Sequence, residues 1–198
     1  MTELSDYQIT PECMQVIDRV LYTPEQIQQR VAELGAQITQ DYQGKSLLLI
    51  GVLRGVIFFM TDLLRAINIP VEVDFMSVSN YSPEARERGY VRLVKDLELS
   101  ITDRHVLFVE DIIDTGLTIN YLLQTLRARQ PASLEICCLF NKEKRRLIDL
   151  DLRYEGFKIP DYYVVGYGLD YREKYRNMPF VGLIKGDILQ NNHKPGLF

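Results

Sequence analysis

The chain has 198 residues, 46% of them hydrophobic, and a formal net charge of −4. That length fits one domain with a buried core, and the apolar content argues against disorder. The slight acidic excess gives no general pull toward nucleic acid, and no apolar run nears the ~20 residues that cross a bilayer. The N-terminus, Met-Thr-Glu-Leu-Ser-Asp-Tyr, carries acids and lacks the basic-then-apolar layout of a signal peptide. A cytoplasmic protein without membrane or nucleic-acid partners is expected.

Thr23-Pro24-Glu25-Gln26 reads as a capped helix start, and Ile27, Val31, Leu34 and Ile38 give that helix one apolar face, ended by Gly44. Ser46 to Leu53 is a nearly continuous aliphatic run, as in a strand covered on both faces. It ends in Gly51-Val52-Leu53-Arg54-Gly55, and Val56 to Ile67 reads as a helix. Beyond Pro70, Val71 to Ser79 is a strand. The alternation predicts a mostly parallel sheet with ligands at its carboxyl edge, which puts Arg54 there. Asn80 to Tyr90 is polar and charged, a hairpin tip or a mobile lid, before a strand from Val91 to Lys95.

From Val106 the chain begins as an apolar strand, passes through Glu110, Asp111 and Asp114, and ends in Thr115-Gly116-Leu117-Thr118. A helix carrying Ile119, Leu122, Leu123 and Leu126 follows, closed by Pro131. Ser133 to Phe140 is a further strand, and the cluster after it, Lys142 to Arg146, reads as a solvated face. Lys142 differs, because it stands at a strand's carboxyl end. Tyr162 to Tyr167 and Val181 to Ile184 complete the strands. Cys13, Cys137 and Cys138 have no metal-ligand spacing, and neither His105 nor His193 is positioned for a Ser-His or Cys-His mechanism.

Ionised carboxylates only accept hydrogen bonds, so Glu110 and Asp111 suit the two donors of a ribose diol. They equally suit a hydrated magnesium ion. Thr115 to Thr118 offers backbone N–H groups, a helix start and two hydroxyls to a phosphate, with Gly116 allowing close approach. No Gly-Lys-Ser/Thr follows, which argues against a Walker-type ATPase. Receiver domains also show paired acids at a strand end, but near the domain start; here at least two strand-like segments precede them.

The run Val109-Glu110-Asp111-Ile112-Ile113-Asp114-Thr115-Gly116-Leu117-Thr118 closely resembles the phosphoribosyl-pyrophosphate motif of type I phosphoribosyltransferases, and within them the 6-oxopurine branch, the hypoxanthine-guanine phosphoribosyltransferases. Val73 to Ser79, Gly156 to Asp161 and Val164 to Tyr171 fit the same family in order, over roughly Thr10 to Lys185. The resemblance implies an α/β fold: a central, mostly parallel sheet flanked by helices, a flexible lid loop and a small hood from the terminal segments. The core would span about 20–168 and the hood 1–20 and 169–198, in one domain.

The resemblance further implies that hypoxanthine or guanine and phosphoribosyl pyrophosphate yield the nucleoside monophosphate and pyrophosphate, with Mg2+ as cofactor. Glu110 and Asp111 would hold the ribose hydroxyls directly or through magnesium, and Asp170 would help bind a second ion. Asp114 would be the general base. Ile113 to Thr118 would form the ribose-phosphate site, with Thr115, Gly116, Leu117 and Thr118 around the 5′-phosphate. Leu53, Arg54, Gly55 and Arg176 would contact pyrophosphate. Lys142, Tyr163, Val164 and Asp170 would line the purine, and Asn80 and Tyr81 would start the lid. Asn80, Arg54 and Tyr163 stand where serine, lysine and phenylalanine are usual. Members are commonly homodimers or homotetramers. A ribose-phosphate sensor on the same fold is the rival reading; the short stretch before Thr23 leaves little room for a DNA-binding domain.

Overall fold

Aliphatic runs supply the middle of the sheet because strands paired on both sides and covered on both faces meet no water. The computed structural model describes residues 7, 9–80 and 91–190. In chain order it contains α1 (Pro11–Val16), β1 (Ile17–Tyr22), α2 (Pro24–Asp41), β2 (Leu47–Leu53), α3 (Val56–Ala66), β3 (Val71–Asn80), β4 (Val91–Lys95) and β5 (His105–Ile113). There follow α4 (Leu117–Arg127), β6 (Ser133–Asn141), a 3-10 turn (Glu143–Arg145), β7 (Tyr154–Lys158), β8 (Val164–Val165), β9 (Val181–Ile184) and α5 (Gly186–Gln190).

The main sheet has the order β4-β3-β2-β5-β6-β7. Only β4 runs antiparallel, returning beside β3 from Val91. Alternation along the strands divides the core. Leu47, Leu49, Leu107, Val109, Cys137 and Leu139 face α2 and α3. Leu48, Ile50, Val106, Phe108, Ile136 and Cys138 pack with Ile119, Leu122, Leu123 and Leu126 of α4. A second, antiparallel sheet, β1-β9-β8, closes over Val16, Ile17, Val165, Met178 and Phe180. Among the described residues no helix is long and apolar enough to cross a membrane.

Local signals explain several boundaries. Thr23 and Gln26 form the expected reciprocal capping box, and Ile27, Val31, Leu34 and Ile38 are all buried. The helix stops at Asp41, with Gly44 (φ +75°) in the turn beyond it rather than at its end. The strand expected over Tyr162 to Tyr167 shrinks to Val164–Val165. Gly166 and Tyr167 have φ of +96° and +48° and fold the chain into a tight bridge with Leu169. Glu110 and Asp111 lie inside β5, which continues to Ile113, so the loop proper starts only at Asp114.

At Gly35 α2 comes close to α3: a Cβ there would lie 2.5 Å from Ala66 Cβ and 2.7 Å from its backbone carbonyl. Alanine would gain about 1 kcal/mol of helix propensity. Backbone cannot yield as a side-chain tip does, so overpacking costs about 1–3 kcal/mol and wins. Gly35→Ala is expected to lower the denaturant midpoint at an unchanged m-value; a raised midpoint would contradict the close contact.

Candidate active site

The carboxyl ends of β2, β5 and β6 lie side by side, through the pairs Gly51–Val109 and Ile113–Asn141. Strand β2 runs into a cis peptide between Leu53 and Arg54, then Gly55. Gly55 lets the acidic strand end come close: a Cβ on it would lie 2.0 Å from Asp111 Oδ2. On its other side is Gly168 (φ +95°), whose own Cβ would lie 2.2 Å from the Gly55 carbonyl oxygen. Arg176 donates to the Gly168 carbonyl at 2.9 Å and pairs with Asp170 Oδ1 at 2.9 Å. The structure thus brings Leu53, Arg54, Gly55, Asp111, Asp170 and Arg176 to one edge.

Glu110 and Asp111 are half-buried neighbours. Burial raises the Glu110 carboxyl well above the usual range, and the charge on Asp111 adds to this. Burial also pushes Asp111 up to about 6, against the lowering effect of its Ile112 N–H bond (2.7 Å) and of Arg176. Glu110 Oε2 is buried without a hydrogen-bond partner. An orphaned carboxylate oxygen beside a second hard carboxylate fits a magnesium ion, which takes one or two carboxylates and fills its shell with water and substrate phosphates. Among the described residues no group of three or more His, Cys, Asp or Glu forms an all-protein metal cage.

Because Asp111 holds its proton more tightly in the native state, its stabilising contribution is present below pH ~4 and is lost as pH rises through its folded value. For a half-buried carboxylate the loss is roughly 1–2 kcal/mol. In metal-free protein, thermal melts should show Glu110→Gln/Asp111→Asn above wild type near pH ~7, with the gap closing by pH ~4. A gap independent of pH would rule out this origin.

After Asp114 the chain turns at Gly116, whose φ of +83° suits glycine, and α4 begins. Gly116 has no side chain to cap the helix, so the positive end of α4 and its first-turn N–H groups are available to an anion. Among the described residues, Thr115 Oγ1 accepts only a long 3.5 Å bond, from Leu117 N. From behind, Leu147 N donates to the Thr115 carbonyl at 3.0 Å.

Lys142 N donates to the Ile113 carbonyl at 3.0 Å, which fixes the lysine beside the loop. The residue is 8% exposed. Burial lowers its pKa, opposed by the charges of Asp114 and Asp161. Asp114 Oδ1 lies 3.1 Å from Arg145 Nε, close enough for an ion pair although not aligned as a hydrogen bond. Arg145 also reaches Asp161 Oδ1 at 3.4 Å, and Lys142 Nζ lies 3.9 Å from that atom. Asp114 and Lys142 thus share one charge cluster. Tyr163 is 46% exposed, with its ring edge-on to Tyr171 at 5.5 Å, while Val164 is buried in β8. Asn80 ends β3. Tyr81 lies outside the described residues.

Three residues in this region were not expected from the sequence. Arg145 pairs with Asp114 rather than facing solvent alone. Arg146 is half-buried: it bonds Asn141 Oδ1, and its Cδ would lie 3.1 Å from a Cβ on Gly116. Glu173 joins Arg54 and Arg176. A run of charges gives no signal separating these from solvated neighbours; the one available cue was that the run follows a buried strand directly.

A parallel sheet whose acidic strand end feeds a glycine-capped helix, beside a small antiparallel sheet, is the type I phosphoribosyltransferase architecture. The profile of the phosphoribosyl transferase domain matches residues 21–172. The hypoxanthine-guanine phosphoribosyltransferase of Streptococcus mutans is 46% identical over 174 residues, 88% of this chain and 97% of that protein. That of Bacillus subtilis is 44% identical over 175 residues, 88% of this chain and 97% of that protein. A crystal structure of a hypoxanthine phosphoribosyltransferase from Staphylococcus aureus superposes with a TM-score of 0.88 at 44% identity, covering 91% of this chain and 98% of that one. The chain belongs to the phosphoribosyltransferase family and is an enzyme of the transferase class.

Proposed function

We propose that the chain joins hypoxanthine or guanine to phosphoribosyl pyrophosphate, giving IMP or GMP and pyrophosphate. The observation that carries this reading is the cluster of Asp114, Arg145, Asp161 and nearly buried Lys142 beside the glycine-capped start of α4. Relatives named hypoxanthine-guanine phosphoribosyltransferase cover 88% of the chain. The cluster offers the acceptor and donor groups that a purine beside a ribose-phosphate site calls for, and the relatives' names support the same reading.

In this reading, Asp114 accepts the proton that the purine's imidazole ring sheds as a nitrogen bonds to C1 of the ribose. Lys142 donates to the exocyclic oxygen at C6, favouring an oxo group over the amino group of adenine. Tyr163 stacks on the base and the Val164 backbone meets its edge. The N–H groups from Thr115 to Thr118 hold the 5′-phosphate. Arg54, Gly55 and Arg176 take the leaving pyrophosphate, whose negative charge grows as the sugar becomes positive. Magnesium would be held by Glu110 and Asp111, with a second ion at Asp170, and would neutralise charge on the leaving group. Asn80 and Tyr81 begin a lid that limits hydrolysis of the donor. The working form is a homodimer or homotetramer.

A coupled assay with magnesium should give product from hypoxanthine or guanine and far less from adenine. Absence of product from both oxopurines would end the proposal. Comparing kcat/KM for hypoxanthine, guanine and xanthine would then rank the bases.

A further inference from the structure

Glu173 stands where an anion would be expected. Arg54 Nη1 donates to its Oε2 at 2.8 Å, and Arg176 Nη2 donates to the same oxygen at 3.1 Å. Two guanidinium groups from distant parts of the chain thus converge on one carboxylate oxygen, as they would on a phosphate oxygen. Both arginines are those that the proposed function assigns to the leaving pyrophosphate, and the inference rests on that reading.

The chain is bent to bring the carboxylate there. Arg172, Glu173 and Tyr175 have φ of +55°, +61° and +73°, a region that residues other than glycine seldom enter. Tyr171 and Lys174 close the turn with reciprocal backbone bonds of 3.1 Å. Glu173 N donates to Asp170 Oδ2 at 2.9 Å, which ties the turn to the residue that also pairs with Arg176. The pair is also open to exchange: Arg54 is 72% and Glu173 65% exposed, so little burial has to be undone to separate them.

We propose that the Glu173 carboxylate is a built-in competitor for the pyrophosphate site, occupying the place between Arg54 and Arg176 until the pyrophosphate group displaces it. It keeps two cations from repelling each other in the empty site, and it weakens the hold on the pyrophosphate product, which aids release. Two exposed ion pairs of this kind change a binding constant by about three- to tenfold.

Titration calorimetry with sodium pyrophosphate, with and without magnesium chloride, tests this on wild type, Glu173→Gln, Glu173→Ala and Arg176→Ala. Both Glu173 variants are expected to bind pyrophosphate about three- to tenfold more tightly than wild type. Arg176→Ala is expected to bind it at least about tenfold more weakly. Binding that Arg176→Ala weakens but that the Glu173 variants leave unchanged or also weaken would overturn the competitor role alone, Glu173 then orienting the arginines. No pyrophosphate binding by wild type, or binding indifferent to Arg176, would overturn the assignment of the site and this inference with it. Tighter binding by the alanine variant only would also overturn it, since bulk rather than charge would be responsible.

Discussion

Asp114→Asn is expected to lower kcat by about 10²- to 10⁴-fold, the usual contribution of a positioned general base, while the KM for phosphoribosyl pyrophosphate moves by less than about threefold. Asparagine keeps the size of the side chain and still offers an oxygen to Arg145, but it cannot accept a proton. Stability does not compete as an explanation. The Asp114–Arg145 contact is an exposed pair, 44% and 46% accessible, and such pairs contribute about 0–1 kcal/mol. Losing it cannot unfold enough protein to reduce turnover a hundredfold. Steady-state kinetics in magnesium, with melting curves to confirm folding, make the measurement. Equal losses in turnover and donor binding would assign Asp114 to holding the loop rather than to proton transfer.

Much of this site could be read along the chain because its chemistry is local. Asp114, Gly116 and the helix behind them are consecutive, and Glu110 and Asp111 end a run whose aliphatic residues mark a central strand. What could not be read is what depends on close approach between distant segments. Nothing beside Gly55 announces Asp111, and nothing beside Gly168 announces Gly55; only the folded chain brings the three within van der Waals distance. The same holds for Glu173, whose partner Arg54 is remote in sequence. Strand β7 is hidden in the sequence for another reason. It is an edge strand with Glu155, Gly156 and Lys158 among its five residues, so it lacks the aliphatic density of strands paired on both sides. Strand β1 carries Asp18 and Arg19 and, among the described residues, pairs only with β9. In the stretch around Tyr163 the apolar pattern overstated the strand, because pattern does not register the positive φ of Gly166 and Tyr167.

Gly55→Ala should separate function from stability at one atom. Gly55 has φ −59° and ψ −37°, which any residue adopts; only space demands glycine. The added methyl would lie 2.0 Å from Asp111 Oδ2 and 3.1 Å from the Gly168 carbonyl oxygen. The worse contact is the tip of a side chain, so the fold escapes cheaply by rotating the Asp111 carboxylate away. That rotation breaks its bond to Ile112 N and removes a proposed ribose or magnesium contact. A misplacement of ~1 Å at a reacting centre costs about 10²-fold, so kcat/KM should fall by that order while Tm shifts little. Gly168→Ala differs because its clash, 2.2 Å, is with the Gly55 backbone carbonyl, and its φ of +95° disfavours any side chain. It should lose both activity and stability. Melting and kinetics on the two variants decide between these outcomes. A Gly55→Ala enzyme with wild-type kcat/KM would show that the Asp111 carboxylate need not remain where the close approach holds it.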